Sequence, residues 1–402
     1  MKRAIFFALI LMLYLPASAD EMDLVRYRRV VRYLTETSRF SPTEESLYRA
    51  SRAVLPRMGS EKPARIASTL LQARDNGELQ AAMIRSMLES LDDPWARLYD
   101  PEQSRALRAE LEGDSEVGLG LSVVRCPSPL SYSVIGVAPG SPAEGHFKPG
   151  DKVLALNGLT PQDPEFLKQL DGPKGDTIEF SVESDEGLRR IETLVFREYE
   201  SQTAYLADHE RGVIRIASFG EETPKQLRQA LREIGDRPVI IDLRFNRGGY
   251  VSAAVAACDL FLEPEATIVT VVSRSGRKIH KAKHKPAFQA PVCLLVNRKT
   301  ASAAEIFTAA LDQFANAEVI GEKTFGKGSV QRLVGLPGDW ALKYTTALYQ
   351  TSSGEFIDKL GLMPDRYVTM RASLTFGKRD AQMAKALEWS KRAESQVLSA
   401  RP

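Results

Sequence analysis

The chain is 402 residues long, 43% hydrophobic and 26% charged, with a net charge of +2. That length exceeds what one ordinary hydrophobic core organises and predicts two or three domains. A balance so close to neutral excludes the electrostatic footprint of a nucleic-acid binder or of a protein held by charge on an anionic membrane, so partners have to be read from sites.

At the N-terminus, Met1-Lys2-Arg3 precedes the apolar run AIFFALILMLYLP and the small residues Ala17-Ser18-Ala19. Charge, apolar stretch and a small-x-small site in that order mark a secretory signal. The run is shorter than the roughly 20 residues of a membrane span. Residues 1–19 are therefore expected to be a cleaved signal peptide, with export to the periplasm or another extracytoplasmic space and a mature chain starting at Asp20. Retention of the segment as an anchor is the competing reading. Residues 20–112 read as a helical region, because apolar positions recur every three or four residues in LVRYRRVVRYL, SLYRASRAVLPRM and LQAAMIRSMLESL. These helices carry no evident chemistry and serve either as a cap or as a subunit contact.

From Gly113 the texture changes to short β-type runs broken by glycine and proline: GLGLSVV, SYSVIGV, KPGDKVLALNG, DTIEFSVES and RIETLVFREY. Such text suits many small barrels. The ordered turns Pro139-Gly140-Ser141-Pro142-Ala143, Pro149-Gly150-Asp151 and Asn157-Gly158 resemble those of a PDZ domain of the kind fused to bacterial proteases, over residues 113–198. The resemblance implies a β-rich small barrel with helices. In it the loop Gly118-Leu119-Gly120-Leu121 offers backbone amides to the terminal carboxylate of a peptide, which adds as a strand to the sheet edge. The chain departs from the pattern in a shortened helix after PGSPAE and in Phe147, which stands where leucine is customary.

Beyond Glu200 strands and helices alternate: RGVIRIASF, TPKQLRQALREIG, PVIIDLRF, VSAAVAACDLFL, ATIVTVVSR, APVCLLVN, SAAEIFTAALDQF, AEVIGE and ALKYTTALYQ. Alternation of this kind predicts parallel βαβ units in an α/β core over residues 199–370. Sites in such sheets gather at the carboxyl ends of strands, where FNRGGY and NRKTAS both fall. Residues 371–402 contain AQMAKALEWSKRAESQVL, an amphipathic pattern that predicts a C-terminal helix docked on the core or on a second subunit. The fold class is thus multidomain α/β.

Three scattered cysteines do not make a disulfide framework, and Cys258 and Cys293 lie in apolar runs that predict buried thiols. His280 and His284 sit in the basic stretch KIHKAKHK, which reads as a solvated face without a neighbouring carboxylate. Two histidines fall short of the three or four protein ligands of a zinc site, so no metal is expected.

Ser302, in TASAAEIF, follows the apolar strand by a short polar loop and opens a helix, where free backbone N–H groups and the positive dipole end converge. Serine at this place is usually an N-cap. It is also where an oxyanion is best stabilised. Lys327, between Gly326 and Gly328, supplies the base that a serine nucleophile needs, provided its amine is neutral. That requires its pKa to fall about three units from a reference near 10.4, roughly 4 kcal/mol, which desolvation can supply and a contacting carboxylate opposes. Neither Glu305 nor Glu322 is therefore expected to pair with that amine. Gln331 is either an ordinary exposed glutamine or an uncharged orienting partner for the lysine. The glycine pair after Asp242-Leu243-Arg244-Phe245-Asn246-Arg247 is either a tight turn or, with Ser302, a source of oxyanion donors at the Gly248 and Ala303 amides.

Together LDDPWARLYDPE, the PDZ-like text, IASFGEETPKQL, IDLRFNRGG, LVNRKTASAAEIFTAAL, GEKTFGKGSVQ and LGLMPD resemble, in order and over residues 80–370, the carboxy-terminal processing peptidases, or tail-specific proteases. Arg247, where proline is common, and Ala304, where serine is frequent, depart from that pattern. The resemblance implies a serine endopeptidase with a Ser-Lys dyad: Ser302 as nucleophile, Lys327 as general base, Gln331 as its orienting residue, and the Gly248 and Ala303 amides as the oxyanion hole. It implies protein substrates bound by their C-terminal tails, requires no cofactor, and admits a homo-oligomer and an adaptor protein. The alternatives are a catalytically inactive PDZ scaffold and a serine hydrolase using His209 or His280.

Overall fold

In a computed structural model, residues 19–52, 76–112, 117–127, 130–200, 202–370 and 380–399 are described. The expected signal segment falls almost wholly on residues 1–18, outside them, as do residues 53–75 of the expected helical region and residues 371–379 and 400–402 of the C-terminal extension. Among the described residues no helix is long and apolar enough to cross a membrane. The chain divides into two compact units.

The first unit holds the helices Ala19–Thr37, Glu44–Arg52, Asn76–Glu89 and Pro101–Glu112. It also takes in residues 329–348, which the local pattern assigned to the α/β core. The reason is apolar burial. The strand Ser329–Gly335 pairs with Ala341–Gln350 in an antiparallel hairpin, and Arg97–Tyr99 adds to its far side. Val334, Leu336, Leu342 and Tyr344 of this hairpin are buried in one cluster with Tyr27, Val30, Leu34, Met83, Ile84 and Met87 of the helices. Asp93 anchors the seam by accepting from the Thr345 N–H at 2.8 Å and its hydroxyl at 2.9 Å.

The second unit contains a five-stranded sheet, a six-stranded sheet and the short pair of Val117–Gly118 with Arg197–Glu198. Strands Leu121–Pro127, Leu130–Val137, Lys152–Leu156, Thr177–Glu183 and Arg189–Val195 form an antiparallel five-stranded sheet in chain order. Alternate side chains such as Val134, Val153, Phe180 and Val182 fill its core with Phe147 and Phe166. This is the segment expected to be PDZ-like. The helix foreseen after PGSPAE is reduced to turns through His146, and a 3-10 turn, Leu167–Leu170, is the one helical element assigned among the described residues of the segment.

The six-stranded sheet has the order Arg366–Tyr367, Glu318–Gly321, Val292–Val296, Val239–Asp242, Val213–Ile216, Ala204–Asp208, all neighbours parallel except the last pair. Every residue of Val239–Asp242 and Val292–Val296 is buried, the mark of a sheet covered on both faces. Ile240, Cys293, Leu295 and Ile320 meet Ala386, Met383, Leu387 and Trp389 of the C-terminal helix Ala381–Ser399, so that helix docks on the core. Helices Thr223–Ile234, Val251–Cys258 and Ala303–Ala315 pack side by side, and Phe307 meets Phe219 and Phe261 with ring centroids 5.6 and 5.9 Å apart. The three cysteines are buried and form no disulfide with one another, and burial pushes the Cys258 and Cys293 thiols up.

Beneath the sheet's carboxyl edge lies a buried ionic cluster. Arg244 makes a two-pronged contact with Asp242, at 2.9 and 2.8 Å, and reaches Asp380 at the head of the C-terminal helix at 2.8 Å. Burial alone would raise the Asp242 carboxyl, but the Arg244 and Arg215 guanidiniums outweigh it and hold the group below the ordinary aspartate value.

Candidate active site

Val239–Asp242, Val292–Val296 and Glu318–Gly321 are adjacent parallel strands, with Asp242 opposite Leu295 and Val296 opposite Gly321. The loops that leave their carboxyl ends therefore emerge side by side: the glycine loop (residues 243–250), the nucleophile loop (297–302) and the lysine loop (322–328). Backbone bonds stitch them together. The Ala301 N–H donates to the Asn246 carbonyl at 2.9 Å, and the Phe325 N–H to the Thr300 carbonyl at 3.0 Å. The Thr300 hydroxyl donates to the Leu243 carbonyl at 2.9 Å. Asn246, fully buried, donates from Nδ2 to the Ile216 carbonyl at 2.9 Å.

Ser302 is the N-cap of Ala303–Ala315 and has φ +59° and ψ −122°. A non-glycine residue at positive φ carries about 1–3 kcal/mol of strain and persists only where neighbours hold it. The neighbour here is Glu305, whose side chain is wholly buried. Its Oε2 accepts from the Ser302 N–H at 2.8 Å and from the Lys327 N–H at 2.9 Å. Its Oε1 accepts from the Thr324 hydroxyl at 2.5 Å and the Gly326 N–H at 2.7 Å. One carboxylate thus grips the nucleophile and the lysine loop at once, and the two amide nitrogens are no farther apart than the two bonds that meet on Oε2. Burial pushes the Glu305 carboxyl above its ordinary value, against the pull of these four donors.

Glu305 contacts the backbone of Lys327 as an acceptor, while Glu322 lies 3.7 Å from Arg298 and accepts from the Met370 N–H. Gly248 abuts the nucleophile, since a Cβ on it would stand 2.7 Å from Ser302 Cβ and 2.9 Å from the Ala303 nitrogen. The two amides expected to form an oxyanion hole are therefore neighbours. The Gly248 N–H is engaged in this structure, donating to Asn246 Oδ1 at 2.8 Å. The Tyr349 hydroxyl donates to the Lys327 carbonyl and contacts the Ser302 side chain. Burial, with the nearby Glu305 charge, raises this phenol well above its ordinary value.

The lysine loop is also fastened to residues 356–363. Lys359 N–H donates to the Gly326 carbonyl at 2.8 Å, Thr324 N–H to the Leu362 carbonyl at 3.0 Å, and Gly328 N–H to Asp358 at 3.1 Å. Phe325, Leu360 and Met363 leave their apolar side chains exposed along this seam.

Ser302, Lys327, Gly248 and Ala303 thus come together. Gln331 belongs to the first unit, where its amide donates to Ser329 Oγ at 2.9 Å. Gly118–Leu121 lie in the antiparallel-sheet segment. Gly118 pairs with Arg197 and Leu121 with Val137, and the Leu119 and Gly120 carbonyls accept from Ala143 and Ala138. Gly120 has φ +72°, and a Cβ there would strike Ser141. The basic stretch is less isolated than expected, because His284 Nδ1 lies 2.5 Å from Asp259. Among the described residues no group of three or more His, Cys, Asp or Glu is placed to hold a metal.

Sequence reasoning passed over Asn246, Thr324, Tyr349 and the bridging role of Glu305. A signal existed for one of them. Ser302 and Glu305 have the Ser-x-x-Glu spacing of a capping box, in which the glutamate reaches back to the N-cap amide.

Comparison with known proteins adds independent findings. Residues 210–368 match the model of peptidase family S41. The chain is 35% identical over 300 residues to a carboxyl-terminal-processing protease of Picosynechococcus sp., covering 71% of this chain and 72% of that one. It is 32% identical over 310 residues to the carboxy-terminal processing protease CtpA of Bacillus subtilis, covering 74% and 66%. Its fold is similar to that of the photosystem II D1 C-terminal processing protease, with a TM-score of 0.56, 23% identity and coverage of 89% and 95%.

Proposed function

Because the chain belongs to the carboxyl-terminal-processing proteases of peptidase family S41, which are serine peptidases, we propose that it cuts polypeptides through a Ser302–Lys327 dyad. The observation that carries this reading is the shared carboxylate oxygen of Glu305, on which the backbone amides of both residues converge. Neutral Lys327 takes the Ser302 proton, the alkoxide attacks the peptide carbonyl, and an acyl-enzyme forms as the protonated lysine passes its proton to the leaving amine. Gly248 and Ala303 supply the oxyanion amides. The Gly248 N–H then exchanges Asn246 Oδ1 for the tetrahedral oxygen, a step that binding of substrate in the glycine loop drives.

The substrates are exported proteins with unfolded or exposed C-terminal tails. The exposed Phe325, Leu360 and Met363 beside the lysine loop suit apolar side chains that folded proteins bury. Residues 113–198 act as a PDZ domain in which Gly118, Leu119, Gly120 and Leu121 receive the tail carboxylate, and residues 1–19 direct export. A denatured protein incubated with the mature chain and analysed by mass spectrometry tests this. Wild type should release fragments, and Ser302→Ala and Lys327→Ala should release none while Ser302→Ala still binds a tail peptide. Fragments from both variants would refute the dyad.

A further inference from the structure

We propose that Glu305 is a positioning residue of this peptidase, whose carboxylate sets the separation of nucleophile and base by holding both backbones at once. The inference deepens the Ser302–Lys327 reading and rests on it. Three observations support it. The four donors come from two elements far apart in sequence: Ser302 at the helix start, and Thr324, Gly326 and Lys327 in the lysine loop. A residue serving only to cap its helix would need the Ser302 contact alone.

The second observation is the conformation of Ser302. Its positive φ is one that serine does not adopt without a restraint, and the Ser302 N–H to Glu305 bond, with the return bond from the Glu305 N–H to the Ser302 carbonyl at 2.8 Å, closes a ring around it. The third is the setting of the carboxylate. It is wholly buried, and its donors do not fully offset the loss of water. A carboxyl whose pKa is raised on folding contributes stability below the ordinary carboxylate range that is lost as pH rises through its raised folded value, so keeping Glu305 ionised costs the fold. Ionised Glu305 is thus a charge that packing alone has no reason to keep, and such groups concentrate at functional sites.

An amide cannot replace it. Glutamine presents one oxygen and one NH2, so either the Ser302 and Lys327 amides or the Gly326 amide would face another donor, even if the Thr324 hydroxyl turned to accept. The two loops would then part.

The test uses the full mature chain, a fluorogenic peptide and a fluorophosphonate probe that labels the active serine. Glu305→Gln should lower kcat about 100-fold, the effect of roughly 1 Å of misplacement. KM should stay within about twofold, and labelling of Ser302 should slow in parallel. A folded Glu305→Gln, with wild-type circular dichroism and cooperative melting, that keeps kcat within about threefold would overturn the proposal. If that variant does not fold, Thr324 decides. Thr324→Val, which removes the hydroxyl on Oε1, should lower kcat about tenfold at unchanged KM, and Thr324→Ser should restore it; equal activity in both overturns the proposal. Ser302→Ala and Lys327→Ala run alongside. Activity surviving in them sinks the dyad and this inference with it, whereas their inactivity beside an active Glu305→Gln sinks the inference alone.

Discussion

Placing a methyl group on Gly248 tests how closely the glycine loop and the nucleophile are fitted. Gly248 has φ +100°, and an added Cβ would stand 2.7 Å from Ser302 Cβ, 2.9 Å from the Ala301 carbonyl oxygen and 2.9 Å from the Ala303 nitrogen. None of these atoms ends a flexible side chain, so backbone must yield. Restoring ordinary carbon contact at about 3.5 Å requires the nucleophile loop to retreat by about 0.8 Å. A displacement of that size in an aligned reacting pair lowers the rate by about 30- to 100-fold, and strain at positive φ adds about 1–3 kcal/mol of instability. Gly235→Ala separates the two effects, because Gly235 also has positive φ, +68°, but no atom within 4 Å of the added Cβ. Urea unfolding and steady-state hydrolysis of a fluorogenic peptide, run on both variants, should show a loss of stability in each, larger in Gly248→Ala, and a loss of kcat in Gly248→Ala alone. If Gly248→Ala keeps kcat within about threefold of wild type, the fit of these loops is not what the distances imply.

Removing Arg244 leaves the Asp380 carboxylate buried without its counter-ion and Asp242 with only Arg215, so Arg244→Met should lose about 3–5 kcal/mol in urea unfolding. The depressed pKa of Asp242 contributes stability that is present above the ordinary aspartate value and is lost as pH falls through the lower folded one. Melting temperatures followed from about pH 6 to pH 2 should decline on this limb, and Asp242→Asn should start lower and decline less. Tyr349→Phe deletes the hydroxyl that meets Ser302 and the Lys327 carbonyl. One hydrogen bond's worth of alignment should go with it, a three- to tenfold fall in kcat by about 1 kcal/mol, measured on the same peptide.

What was legible in the sequence was what local pattern encodes. The buried strands PVIIDLRF and APVCLLVN announce themselves by continuous apolar text, and their succession with helices fixes which loops lie at the active edge. Gly248-Gly249 and Ser302 stood out because a glycine pair and a hydroxyl at a helix start each have few structural uses. The joining of Ser329–Gly335 to the N-terminal helices was not legible, since its reason is the match between Val334, Leu342 and Tyr344 and apolar faces some 250 to 300 residues earlier, of which no local period carries a trace. The sequence pattern sets Glu305 against the lysine amine, whereas its actual partner is the lysine backbone. Its partners Gly326 and Lys327 are 21 and 22 residues away in sequence, and only the parallel register of two strands brings them together. Tyr349 reads as one more aromatic in an alternating strand. Its buried hydroxyl acquires a role from the loops that fold over it.

The most direct test of the account is the site and pH dependence of acylation. A fluorophosphonate adduct mapped by peptide mass spectrometry should fall on Ser302 alone. Its rate of formation should rise with pH through a single titration in wild type and vanish in Lys327→Ala. Labelling on another residue, or an undiminished rate when the lysine is gone, would contradict it.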